Sequence, residues 1–425
     1  MAKRAINFSC LITVMLLLIP TMLLAQGNIN FGNLKVIPGI EGQVVYDDNI
    51  YMKNGSDDNA NKKVSDTIYH IKPGMLLNFN MPERGDIKLG WNGDWAFYNT
   101  NDKNNWNNQN FALGVDYKPP SGLIFGLNDE QRQKQDPFGS PDQYAIGRTT
   151  KRWENDLKSK LGMTWGNNTF RTNVIYNRFQ QQYASNYDAS QNYALSEYGV
   201  SAEGRFLPRT WGFVRYLYGI QNYESFYGGQ TDNGTYVAGF SDNRKSDFKY
   251  NQVNVGLNWD QGSKLTGELS VGYMWKRYDN NLDTAGNTRS DRDTWVAATN
   301  INFDATATTV LSLNLARTPR DQSADSSTFF YDTGVGLNVR QTILTRFFAT
   351  AGVLYSLNDY NTAPAGYTSV GDRSDKNYIA NAGLDYKIRE WLTCGIAYKY
   401  NKKTSNYSAF EYADNQFMAS VKIVY

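Results

Sequence analysis

Much of this chain alternates between apolar and polar positions. At the C-terminus Phe417, Ala419, Val421, Ile423 and Tyr425 share one parity, with Met418, Ser420, Lys422 and Val424 on the other. Strict alternation marks a strand with one apolar and one wetter face. The pattern recurs upstream. Ile87, Leu89, Trp91, Trp95 and Phe97 oppose Lys88, Asn92 and Asp94, and Leu265, Leu269, Val271, Tyr273 and Trp275 oppose Thr266, Glu268, Ser270 and Lys276. None of these stripes follows a 3.6-residue period, and glycine is frequent within them, which disfavours helix.

The breaks between strands alternate in length. Tight ones read MPERGD, KPPSG, GNN, LPRT, DQGS, DATA, RQT and IRE. Between them lie longer polar stretches such as KNGSDDNANKKVSD and YGGQTDNGTYVAGFSDNRKSD. Short–long alternation predicts an all-β fold: a transmembrane up-and-down antiparallel β-barrel of about 18 strands, with 16 as the count if one hairpin is spurious. The strands run from roughly Leu34–Tyr51 to Phe410–Tyr425. Leu123–Gln135, whose apolar stripe fades after Leu127, and Ser326–Val339 are the two segments on which the count turns. A β-sandwich would need a linker or a composition shift, and a propeller a repeating motif. The sequence has neither.

The N-terminus changes the compartment. Lys3 and Arg4 precede the apolar run CLITVMLLLIPTMLLA, which reads as a secretory signal peptide over residues 1–25, cleaved near Ala25. Residues 26–425 then form a single outer-membrane barrel of a Gram-negative envelope, with no plug domain ahead of the first strand. In such barrels a terminal aromatic with apolar residues alternating upstream resembles the signal read by the barrel-assembly machinery. Phe417, Val421, Ile423 and Tyr425 fit it.

Composition removes several function classes. With Lys3 and Arg4 gone, basic and acidic residues balance, which argues against nucleic acid as a partner. Cys394 is the one cysteine after the leader, and His70 is the one histidine of the chain. Cysteine and multi-histidine metal sites are thereby excluded, no cofactor is expected, and no catalytic constellation emerges, so the protein is not expected to be an enzyme. His70 shares the parity of Lys72, so it should face the lumen as a solvated wall residue. The acidic stretch Asp279–Asp293 lacks the spacing of a calcium loop.

The chain holds 30 Tyr, 21 Phe and 10 Trp. Trp91, Trp95, Trp165, Trp211, Trp259, Trp275 and Trp391 lie near strand ends and are expected in the aromatic girdles at the two membrane interfaces. The polar parity supplies candidate pore-lining residues: Lys72, Lys88, Asp94, Asp116, Lys158, Lys160, Arg171, Glu203, Arg205, Arg215, Glu268, Lys276, Arg346, Asp385, Lys387 and Lys422. Basic residues outnumber acidic ones in that set, so modest anion preference is expected. A lysine at lipid-facing Val271 should be costly, and one at Ser270 tolerated. The loop 225–247 is the longest and either constricts the lumen or covers the rim.

Two segments carry a closer likeness. VIPGIEGQVVYDDNIY (Val36–Tyr51) followed by SDTIYHIKPGMLLNFN (Ser65–Asn80) resembles the opening hairpin of the beta-barrel porin 2 family. In that family a Pro-containing first strand ends in an Asp-Asn-Ile-Tyr-type segment, and the second carries Ser-Asp-Thr before Ile-x-Pro-Gly. The resemblance implies an outer-membrane porin-like channel found alongside exopolysaccharide synthesis and export. It implies lipid, lipopolysaccharide and polysaccharide export components as partners, and it carries no catalytic motif. A closed barrel acting as a surface receptor or accessory of polysaccharide secretion is the alternative.

Overall fold

The computed structural model describes residues 29–55, 62–136, 150–185, 191–224, 226–227, 240–241, 247–260, 262, 264–282, 288–321, 329–364 and 371–425. The leader lies outside them, as do most of the loop 225–247 and residues 283–287 of the acidic stretch.

Eighteen long strands close into one antiparallel barrel. They are β1 Leu34–Asp47, β2 Asp66–Met81, β3 Gly85–Tyr98, β4 Trp106–Tyr117, β5 Leu123–Asp136 and β6 Thr150–Trp165. Next come β7 Phe170–Tyr183, β8 Tyr193–Leu207, β9 Thr210–Tyr223, β10 Phe248–Trp259, β11 Leu265–Tyr278 and β12 Arg292–Asp304. The last are β13 Thr309–Asp321, β14 Phe329–Ile343, β15 Phe347–Tyr360, β16 Ser374–Arg389, β17 Leu392–Ser405 and β18 Tyr412–Val424. Each pairs with its sequence neighbour. β18 returns to β1 in the register Gly39↔Val424 to Asp47↔Gln416.

Closure accounts for the ordered C-terminus. The Tyr425 N–H donates to the Pro38 carbonyl at 2.9 Å, and the Val424 N–H to that of Trp391 at 2.9 Å. Closure leaves no free edge strand in the hydrocarbon, where unpaired N–H and C=O groups are expensive, and between β12 and β13 the ladder stops short of the outer ends of both strands. Short turns and both ends of the barrel chain share one rim, which is the periplasmic side by the rule for such barrels. The long connections share the other.

One tight turn is displaced from the sequence expectation. Arg340, Gln341 and Thr342 continue β14, and the chain reverses at Leu344–Arg346. Leu344 and Thr345 both take positive φ, 51° and 60°. This is the left-handed geometry that glycine and asparagine normally supply to a hairpin, so the residue types conceal the turn. Arg346 accordingly lies exposed in the turn rather than on the lumen wall.

Candidate channel lumen

Alternation along each strand separates two faces. On β11 the outward Leu269, Val271 and Tyr273 are exposed, as a lipid-facing wall requires, while Ser270, Met274 and Lys276 turn inward and are buried. The same parity turns Lys72, Lys88, Asp94, Asp116, Lys158, Lys160, Glu203, Arg205, Glu268, Lys276, Asp385 and Lys387 to the inner face, and most of them are paired there. Lys72 donates to Gln43 Oε1 at 2.7 Å and lies 3.7 Å from Glu41. Lys88 meets Asp86 at 2.9 Å, Asp116 meets Lys118 at 3.0 Å, and Lys158 meets Asp156 at 3.0 Å. Glu268 takes Arg215 through both guanidinium termini at 3.0 and 2.7 Å. Glu203 accepts from Asn173 at 2.8 Å with Arg171 3.8 Å away. Arg205 reaches Trp211 and Lys387 reaches Glu390, while Asp385 is half-buried beside Gly395. Lys160 makes no ion pair among the described residues, and it lines a hollow of about 430 Å³ with Lys118, Lys158 and Arg215.

Three expectations change. Lys276 faces inward but is not pore-lining. Its side chain is 3% exposed, and its ammonium is 2.7 Å from Asp321. Trp211 is not a girdle residue: it is fully buried on the inner face, and its Nε1 donates to Asp260 at 2.7 Å. Ser270 does not project into water. It is buried, and its hydroxyl donates to the Ala298 carbonyl at 3.0 Å. A sequence pattern gives the side of the wall but not what the neighbouring strands lay across it.

Asp94 and His70 form a pair, Nδ1 to Oδ1 at 2.8 Å, with Trp106 edge-on to the imidazole. The sequence offered His70 no partner because the pairing depends on the β2–β3 register. Among the described residues no hydroxyl or thiol is hydrogen-bonded to this histidine.

The lumen holds acids that sequence reasoning missed. Arg132 donates to Glu130 at 3.0 Å, Glu154 at 3.1 Å and Asp156 at 3.0 Å, while Arg152 and Lys134 also meet Glu154. These residues follow the parity of Lys158. They were hidden because the outward face of β5 is itself polar at Asp129, Gln131 and Gln133. That face is satisfied in part by Asn155 donating to Asp129 at 2.6 Å and by Gln133 donating to Asn107 at 2.7 Å. The three acids Glu130, Glu154 and Asp156 come with three bases, Arg132, Lys134 and Arg152, so the cluster adds paired charge to the inner wall and leaves the basic excess of the candidate set unchanged.

Two apolar clusters crowd the outer end of the inner face. Phe248, Tyr250, Met274, Tyr278 and Val296 form one, and Val45, Ile50, Ile68 and Ala96 the other. Beside the second, Asp47, Asp48 and Asp414 hold carboxylate oxygens within 4.8 Å of one another, the kind of oxygen set hard cations accept. At the periplasmic rim, burial would raise the Asp260 carboxyl. Hydrogen bonds from Arg171 and Trp211 outweigh it and hold the group below the usual carboxylate range.

The family described as "Putative beta-barrel porin 2" matches residues 25–425. The chain belongs to that family. It is therefore an outer-membrane β-barrel of porin type. No curated protein matches the sequence. Among solved structures, OpdK of Pseudomonas aeruginosa, determined with vanillate, is 11% identical at a TM-score of 0.44, covering 92% of this chain and 99% of its own. OccAB4 of Acinetobacter baumannii is 7% identical at a TM-score of 0.42, covering 93% and 99%. OmpT of Vibrio cholerae is 11% identical at 0.34, covering 94% and 100%. These are likenesses of fold.

Proposed function

We propose that the mature protein, freed of its leader near Ala25, is a passive outer-membrane channel for small polar solutes or saccharide. The observation that carries this reading is the inner wall. It is lined by ion-paired charges such as Lys158–Asp156 and Arg215–Glu268 rather than by a continuous apolar core. A wall of this kind suits a water-filled lumen, and a barrel of this strand number is wide enough to hold one. A link to exopolysaccharide export is part of the proposal and rests on the family resemblance. Asn300, Asn314 and Ser356 on β12, β13 and β15 offer hydrogen bonds to sugar hydroxyls, beside Glu268 and Asp332, whose carboxylates are paired with Arg215 and Arg320.

A second reading is favoured by the two apolar clusters at the outer end. They support a barrel closed at that rim, serving as a receptor or an accessory of a polysaccharide secretion system. Planar-bilayer recording decides between the two. Steady ohmic conductance from folded, purified protein is expected for the channel, and silence from the same preparation would favour the closed barrel.

A further inference from the structure

The barrel wall contains a slit. Between β12 and β13 the paired residues run from Asp304↔Val310 to Ala297↔Arg317 and stop. Yet β12 continues to Arg292 against β11, and β13 continues to Asp321 against β14. Arg292–Val296 and Thr318–Asp321 are thus adjacent stretches with no ladder between them. Pro319, which has no N–H to donate, sits in the unpaired stretch.

Side chains close the gap instead. The outer end of β13 leans inward, where Asp321 accepts from Lys276 Nζ at 2.7 Å and from Tyr278 Oη at 2.7 Å. Arg317 spans the slit on the lipid side. It donates to the Trp295 carbonyl and, at 2.8 Å, to Thr294 Oγ1, with its guanidinium 4.2 Å from the Trp295 ring and 4.5 Å from that of Tyr331. Arg292 lies 4.0 Å from the Phe329 ring, and its Nε has no hydrogen-bond partner. Neither guanidinium has a carboxylate at ion-pair distance among the described residues.

Two further features bear on what the slit admits. Outward-facing Tyr273, Trp275 and Trp295 stand beside it, which sets it at the outer aromatic girdle, the level of the lipid head groups. On the lumen side, directly below the last paired residues, lies a hollow of about 540 Å³; Ala298, Ala316, Gly334 and Leu354 give it an apolar strip, and its two carboxylates, Glu268 and Asp332, are already paired with Arg215 and Arg320. Small side chains make that room.

We propose that the slit is a lateral portal, through which an amphiphile with an anionic head and an acyl tail passes between the outer leaflet and this hollow. Arg317 and Arg292 receive the head by charge-assisted hydrogen bonds, and the tail lies along Ala298 and Ala316. The portal extends beyond the channel reading and does not depend on it, because lateral passage needs no continuous water path.

The test uses dodecanoate carrying a diazirine on its tail, with the mature protein in lipid nanodiscs and labelled peptides mapped by mass spectrometry. Label is expected on the inner-face peptides holding Ala298, Ala316 and Leu354, competed by unlabelled dodecanoate and not by neutral dodecanol. Equal competition by dodecanol would overturn the anionic-head assignment. In a Cys394→Ser background, Val296→Cys and Thr318→Cys joined across the slit by a short bis-maleimide should lose the inner label while lipid-facing label persists. Ala316→Phe, which fills the hollow and leaves the slit alone, should lose it too. Inner label that survives both changes, or label confined to the lipid face of the unaltered protein, would overturn the portal. Conductance of the same preparations reports separately on the channel reading.

Discussion

The Arg171 guanidinium lies 3.5 Å from the ring centre of Trp211, and both side chains bond the same carboxylate. Arg171 reaches the two Asp260 oxygens at 3.0 and 2.8 Å, and Trp211 Nε1 reaches Oδ2 at 2.7 Å. The cluster ties β7, β9 and the turn after β10 together at the periplasmic rim. Trp211→Ala should cost about 3–5 kcal/mol, as loss of a fully buried aromatic does. Trp211→Phe, which keeps the ring and loses the donor, should cost about 1–2 kcal/mol. The Asp260 carboxyl is held below its usual range. Its contribution is therefore fully present above the unfolded value, near 3.9, and is lost as pH falls through the folded one. Urea midpoints followed by gel shift should fall below about pH 4, and Asp260→Asn should flatten that limb. An unchanged acid limb in the variant would remove Asp260 from the account.

Lys160 and Lys276 separate lumen chemistry from wall chemistry. Lys160 has no ion-pair partner among the described residues, whereas Lys276 is buried against Asp321. Lys160→Glu should move the reversal potential in a salt gradient toward cations, with the shift shrinking at high salt. Lys276→Gln should leave the reversal potential where it was and cost about 3–5 kcal/mol of stability, because it strands a buried carboxylate. A selectivity change in the Lys276 variant, or none in the Lys160 variant, would contradict these placements.

The two faces of β14 offer a direct test of the wall. Leu337 points outward near the middle of the strand, and Asn338 points inward and is exposed. Leu337→Lys should cost about 2–4 kcal/mol at the midplane, and Asn338→Lys should be close to neutral. Ser270, adjacent to outward Val271, is a poor partner for this comparison because it is buried beneath β10 and β12 neighbours. Folding titrations into lipid vesicles measure both, and equal costs would mean that β14 is out of register.

Why the fold was legible follows from the period of a strand. Lipid on one side and water on the other impose a two-residue repeat, and Phe417 to Tyr425 or Leu265 to Trp275 display it without any knowledge of neighbours. The inward placement of Lys72, Lys158 and Glu268 came from the same repeat. Their partners did not. Arg171 and Asp260 are 89 residues apart, and Lys276 reaches Asp321 across an intervening strand. Such meetings depend on register and on how strand ends lean, neither of which parity encodes. β5 shows the reverse difficulty. Its outer half is polar on both faces, so Glu130 and Arg132 carried no contrast against Asp129 and Gln131.

The β14–β15 turn was illegible for a local reason, and that reason makes a prediction. Leu344 and Thr345 adopt φ of 51° and 60° although both carry side chains that disfavour the left-handed region. Leu344 is also 81% exposed, so no burial offsets the strain. In this three-residue turn, closed by the Ile343–Phe347 pair, each forced left-handed residue costs roughly 1–2 kcal/mol, whereas Asn and Gly enter that region at little cost. Leu344→Asn with Thr345→Gly should therefore raise stability by about 1–3 kcal/mol, without altering conductance, since the turn lies on the periplasmic rim. The gain is limited by the extra freedom glycine gives the unfolded chain. Urea titration of the double variant beside the parent measures it. A loss of stability would mean that Leu344 and Thr345 make contacts worth more than their backbone strain, and that the turn is held by those contacts rather than tolerated by the hairpin.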